Sequence, residues 1–70
     1  MTPPIGTVRD VLKLVVGGAF SVDPDAAVSD LRPAQREALV WAVQEGLVDE
    51  REIALTDKGR RFYTIIGGAL

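Results

Sequence analysis

The sequence predicts a mainly α-helical domain with one small β-hairpin, in the order α-α-α-β-β-α. Three observations lead there. Apolar residues recur at helical spacing in several segments. Proline and glycine stand where those segments begin and end. Between Leu47 and Leu55 the pattern changes to two short apolar runs separated by charges. One domain is expected over residues 1–70, with 1–6 as a lead-in marked by Pro3 and Pro4.

Thr7 is placed to cap a first helix starting near Val8. Val8, Val11, Leu12, Val15 and Val16 share one face of it, and Arg9, Asp10 and Lys13 take the other. Its valines lower helix propensity slightly. Gly17-Gly18 ends it, since glycine adopts the left-handed conformation a helix end often needs. Ala19, Phe20 and Val22 read as a short extended piece. In Asp23-Pro24-Asp25, Asp23 accepts from free backbone N–H groups, Pro24 suits the first helical position, and Asp25 favours the positive helix end. This second helix is short, because Pro33 forces a boundary near Leu31-Arg32. Its apolar face is Ala26, Ala27, Val28 and Leu31.

The third and longest helix is expected over 33–45, with Gly46 as its stop. Ala38, Leu39, Ala42 and Val43 form its core stripe, the alanines leaving room for a neighbouring helix, and Trp41 lies at the stripe's edge. Leu47-Val48 and Ile53-Ala54-Leu55 read as two strands around a 49–52 turn, with Ile53 and Leu55 on one face. Thr56 caps the last helix and Asp57 sits in its first turn. Phe62, Ile65 and Ile66 point one way along it, and Gly67-Gly68 ends it. The tight turn between the second and third helices suggests a helix-turn-helix, with the hairpin as its wing.

Composition narrows the chemistry. A chain of 70 residues buries only about 60% of its unfolded surface. It has no cysteine and no histidine, which removes disulfides, thiolate metal sites and the commonest general base. Ser21 and Ser29 therefore lack an activating imidazole, and the glycines lie at helix ends rather than in a phosphate cradle. Asp23, Asp25 and Asp30 lack the alternating ligands of a calcium loop, so capping is their expected role. No enzyme, cofactor or metal is expected, and no small-molecule substrate is evident. No apolar run approaches the ~20 residues of a membrane span, and the Met-Thr-Pro-Pro start shows no signal-peptide pattern, so the expected location is the cytoplasm. The formal net charge is −2, whereas dedicated nucleic-acid binders usually carry a basic excess.

The phrase Glu45-Gly46-Leu47-Val48, then Leu55-Thr56-Asp57-Lys58-Gly59-Arg60, resembles the "GL[IV]…LTxKG" pattern of many small winged-helix proteins. These include prokaryotic regulators of the MarR and PadR kinds. The similarity covers residues 33–63 and extends to the first 32 only by helix order. In DNA-binding members the helix before the wing enters the major groove and the wing contacts backbone or minor groove. The resemblance then implies a reading helix at 33–45 and a wing tip at 49–52. Here the tip departs from the family habit: Asp49-Glu50-Arg51-Glu52 sets three acids against one base.

Two binding surfaces follow. For a protein partner, the expected contacts are Arg36, Val40, Trp41 and Gln44 on the long helix, with Asp49, Glu50 and Glu52 at the tip. An exposed valine and tryptophan with a polar rim suit a protein contact. For duplex DNA, the alternative, the expected contacts are Arg32, Gln35, Arg36, Lys58, Arg60 and Arg61. Each has a plainer reading. A half-buried tryptophan usually closes a small core. Arginines on a helix surface are usually solvated. Val15-Val16-Gly17-Gly18-Ala19-Phe20 and Ile65-Ile66-Gly67-Gly68-Ala69-Leu70 echo one another, which reads as two similar helix ends or as the seam of a homodimer through apolar termini. The expected function is a small adaptor, modulator or inhibitor acting through protein contacts, of the kind phages and mobile elements encode. A small DNA-binding transcriptional regulator is the alternative.

Overall fold

Four helices carry the fold of the computed structural model, which describes residues 2–68: α1 (Ile5–Val16), α2 (Pro24–Asp30), α3 (Pro33–Gln44) and α4 (Asp57–Ile65). α1 starts at Ile5, earlier than expected. Pro4 occupies the cap position with φ −56°, and its carbonyl accepts from the Val8 N–H at 3.0 Å. Thr7 lies inside the helix and caps nothing. α1 packs principally on α3. Val8, Val11 and Leu12 meet the buried face of Ala38, Leu39 and Ala42, where two alanines let the α1 backbone come close. Phe20 is buried and Val22 is 94% exposed, but they sit in a turn, not an extended piece.

α2 buries none of its own residues. Asp23 Oδ1 accepts from the Ala26 N–H at 3.2 Å, Pro24 takes the first helical position, and the buried Leu31 just past the helix anchors it to the core. In α4 the buried positions are Gly59 and Tyr63, with Phe62 and Ile66 packed beside them. Ile65 does not share that face; it is 80% exposed.

Three helices stop by one device. At the end of α3 the Leu47 N–H donates to Ala42 O at 2.9 Å and the Gly46 N–H to Val43 O at 3.1 Å, with Gly46 at φ +75°. This double bond pattern requires a left-handed residue that glycine supplies without steric cost. α1 stops in the same way with Gly18 left-handed, and α4 with Gly67. The sequence echo aligns Gly17 with Gly67, yet the left-handed residues are Gly18 and Gly67. The echo is thus one residue out of structural register, and it is two independent stops rather than a repeat.

The expected hairpin does not form. Among the described residues there is no strand; Val48 and Leu55 make a single isolated antiparallel bridge. The order is therefore four helices with a loop, not α-α-α-β-β-α. The cause is Asp49. Its Oδ1 accepts from the N–H groups of Arg51 at 2.8 Å and Glu52 at 3.1 Å, and its carbonyl accepts from the Ile53 N–H at 2.9 Å. A side chain that satisfies nearby backbone donors competes directly with a ladder. Residues 49–53 coil into one turn, and what remains on either side is too short to pair further.

The loop is fastened at its base by α4. The Thr56 hydroxyl accepts from the Gly59 N–H at 3.0 Å and donates to Gly46 O at 2.6 Å, while the Thr56 N–H donates to Leu47 O at 3.0 Å. Gly59 lies so close to this strap that an added Cβ would sit 1.9 Å from Leu47 O, a backbone atom that cannot rotate away. Gly59→Ala should therefore cost about 3 kcal/mol, the upper end for overpacking, and lower the melting midpoint by roughly 12 °C or more. Gly6→Ala is the control: its added Cβ meets nothing within 4 Å, and its midpoint should hold or rise slightly in a calorimetric scan.

Candidate functional site

The third helix and the 49–53 turn enclose an open groove of about 540 Å³, lined by Leu39, Val40, Val43, Gln44, Glu50 and Ile53. Its walls are aliphatic. Val40 is 56% exposed, an apolar side chain that the core does not use. Gln44 and Glu50 are the polar side chains of its lining. Three expected contact residues, Val40, Gln44 and Glu50, are thus brought to one place. Arg36 is exposed one turn back along α3, and Glu52 is exposed on the turn.

Asp49 and Trp41 have other work. Asp49 Oδ1 accepts from the turn's own N–H groups. Trp41 is half-buried and stands about 100° around the helix from Val40. Its ring packs on Phe62 of α4, with centroids 6.1 Å apart and planes tilted by 55°. It closes the core against α4 and does not line the groove.

Of the residues expected for DNA, Gln35 and Lys58 hold the two ends of α3, and Lys58 and Arg60 point to different sides of α4. Gln35 Oε1 accepts from the Arg32 N–H at 3.0 Å, so its amide caps α3. The Arg32 guanidinium has no acceptor to return the bond, so only half of a capping box forms. Lys58 Nζ donates to Glu45 O at 2.8 Å. That places a cation on the negative end of α3, which explains a charge that disfavours its own helix start. Arg60 is turned about 200° from Lys58 and borders a shallow depression with Val15, Val16, Ala54 and Leu55. Arg61 is exposed on α4.

Sequence reasoning missed the groove walls. Leu39 and Val43 do belong to the core or pack against it, as expected, but their second role in the groove wall was not foreseen, and Ile53 was expected as strand. Ile53 has φ +48°, a left-handed conformation that β-branched residues rarely adopt. No sequence signal marks it, because glycine or asparagine normally announces such a position. Among the described residues, no group of three or more His, Cys, Asp or Glu side chains is placed to hold a metal ion, and no helix is long and apolar enough to cross a membrane.

No protein-family model, curated protein or solved structure matches the chain. With no such match, and no hairpin among the described residues to serve as a wing, the winged-helix resemblance is overturned. The GL…LTxKG phrase here encodes local geometry: a glycine stop, a threonine cap and the close approach at Gly59.

Two stability outcomes follow. Asp49→Ala removes the acceptor of two turn bonds and should cost about 1 kcal/mol in urea denaturation, whereas Asp49→Asn, which keeps an acceptor, should cost less than half of that. Ile53→Gly relieves a left-handed backbone cost of about 1–2 kcal/mol but removes a half-buried side chain of similar worth. Its net change should stay within about 1 kcal/mol.

Proposed function

We propose that the chain is a non-enzymatic protein-binding module, a small adaptor, modulator or inhibitor that meets its partner with the outer face of α3 and the 49–53 turn. The observation that carries this reading is the aliphatic groove with an exposed Val40 in its wall and a polar rim of Gln44 and Glu50. A buried apolar centre with a polar edge is the anatomy of protein interfaces. The absence of histidine and cysteine from the chain fits a role without catalysis. The DNA alternative draws less support, since the side chains of Gln35 and Lys58 hold α3 at its two ends and Arg60 is turned away from Lys58.

Capture from a lysate of the native host with a Val40→Asp control tests this reading. The wild type should retain partner proteins that Val40→Asp loses, with both folded to the same midpoint. Trp41→Ala should instead lower stability by about 2 kcal/mol through lost packing. Equal recovery by wild type and Val40→Asp, or tight duplex-DNA binding with a steep negative salt slope, defeats the proposal.

A further inference from the structure

Resting on the protein-binding reading above, we infer that the groove takes one turn of a basic amphipathic helix from its partner. Two aliphatic side chains a turn apart enter between α3 and the 49–53 turn, and Lys or Arg beside them face the acidic turn.

Three features fix this chemistry. The first is length. The α3 wall runs from Leu39 to Gln44, which is about 7.5 Å of helix. Two side chains at i and i+4 on a partner helix stand about 6 Å apart and fill that span. The second is the bonding of the loop's backbone. The N–H groups of Asp49, Arg51, Glu52 and Ile53 are already bonded within the loop, which leaves few donors for an extended segment. An extended segment laid here would leave its own N–H and C=O groups unmatched, whereas a helix satisfies its own. The third is charge. The turn carries Asp49, Glu50 and Glu52 against Arg51. Asp49 Oδ1 is engaged internally; Glu50 and Glu52 are exposed with the exposed Arg51 between them, so the turn keeps a net negative charge. The cation Lys58 is held at Glu45 O, and Arg36 lies a turn back along α3. The partner's bases therefore belong over the turn, away from Arg36.

Ile53 gives the means to separate folding from binding. Its left-handed backbone favours glycine, yet an aliphatic side chain stands there and forms a groove wall. Ile53→Gly should move the folding midpoint by no more than about 4–8 °C and remove that wall.

The probes are three synthetic peptides about 15 residues long, near the length at which an isolated helix becomes populated. One carries Leu at i and i+4 beside Lys and Arg, one replaces the bases with Glu, and one replaces the leucines with Ser. Amide shifts of the full chain are followed by nuclear magnetic resonance during titration. The basic peptide should shift residues 39–44 and 50–53 and weaken as salt rises from about 0.05 to 0.3 M. The Glu and Ser peptides should bind at least ~10-fold more weakly. The Glu50→Lys/Glu52→Lys double variant should lose roughly tenfold for the basic peptide, and Ile53→Gly should lose a comparable factor while remaining folded. Equal binding of the Glu peptide, or an undiminished double variant, overturns the inference while shifts in the groove leave the protein-binding reading standing. Shifts elsewhere, self-association through the groove, or no shift with any peptide also overturn it. The reading itself falls with the Val40→Asp capture or with tight, salt-sensitive duplex-DNA binding, so the two failures are distinct.

Discussion

The contact on which this small structure depends is between two backbones: Gly59 of α4 against the carbonyl of Leu47. A chain this short has few large side chains to spare, so position must come partly from main-chain geometry. Gly59 allows the approach, and Thr56 exploits it. One threonine hydroxyl links the end of α3 to the start of α4 by donating to Gly46 O and accepting from Gly59 N–H. Lys58 adds a charged bond to Glu45 O across the same junction. The two helix ends, each with unpaired backbone groups, satisfy one another.

That junction determines what the intervening loop becomes. With its ends tied together at Leu47 and Thr56, the segment between has to turn within few residues. Asp49 supplies the acceptor around which it turns, and Ile53 takes the left-handed residue that closes it. The coil leans on α3 rather than extending from it, and the groove is the space left between them. The same carboxylate that prevents a ladder thus produces the concave surface. A two-stranded hairpin of this length is marginal on its own in any case, whereas a coil with three local hydrogen bonds needs no partner strand.

Much of the helical frame was legible. Asp23-Pro24, Pro33 and Thr56 announced three starts, and glycines announced three stops, because capping and left-handed geometry depend on residue type within a few positions. The core stripes of α1 and α3 followed from spacing, except that Val16 is 43% exposed. Three features were not legible, each for a physical reason. Pro4 opened α1 in place of Thr7 because a fixed φ substitutes for a side-chain cap. Tyr63 took the buried position credited to Ile65, since orientation on α4 is set by Gly59 lying against Leu47. The 49–53 turn depends on a side-chain-to-backbone competition that alternation of apolar residues does not encode. Within the candidate site, Val40, Gln44 and Glu50 were readable as exposed positions, but their convergence with Ile53 required the loop's path. The GL…LTxKG phrase misled for a related reason: a stop, a cap and a close approach are needed wherever two helices meet end to start, with or without a wing.

Charge placement completes the picture in a way the net value of −2 conceals. The cations near α3 are divided among tasks and directions: Lys58 serves a helix end, Arg60 faces away from it, and Arg32 sits at the helix start, where the field is already positive. A phosphate backbone is attracted by cations that act together over a distance comparable to the screening length, about 10 Å at moderate salt, and Lys58 and Arg60 point to different sides of α4. The acids differ. Glu50 and Glu52 stand two residues apart on a turn whose backbone N–H groups at residues 51–53 are taken by Asp49, and both are exposed. Beside them lies an aliphatic wall with Val40 open to solvent. Negative charge next to apolar surface selects for its complement, a visitor that is basic on one side and greasy on the other.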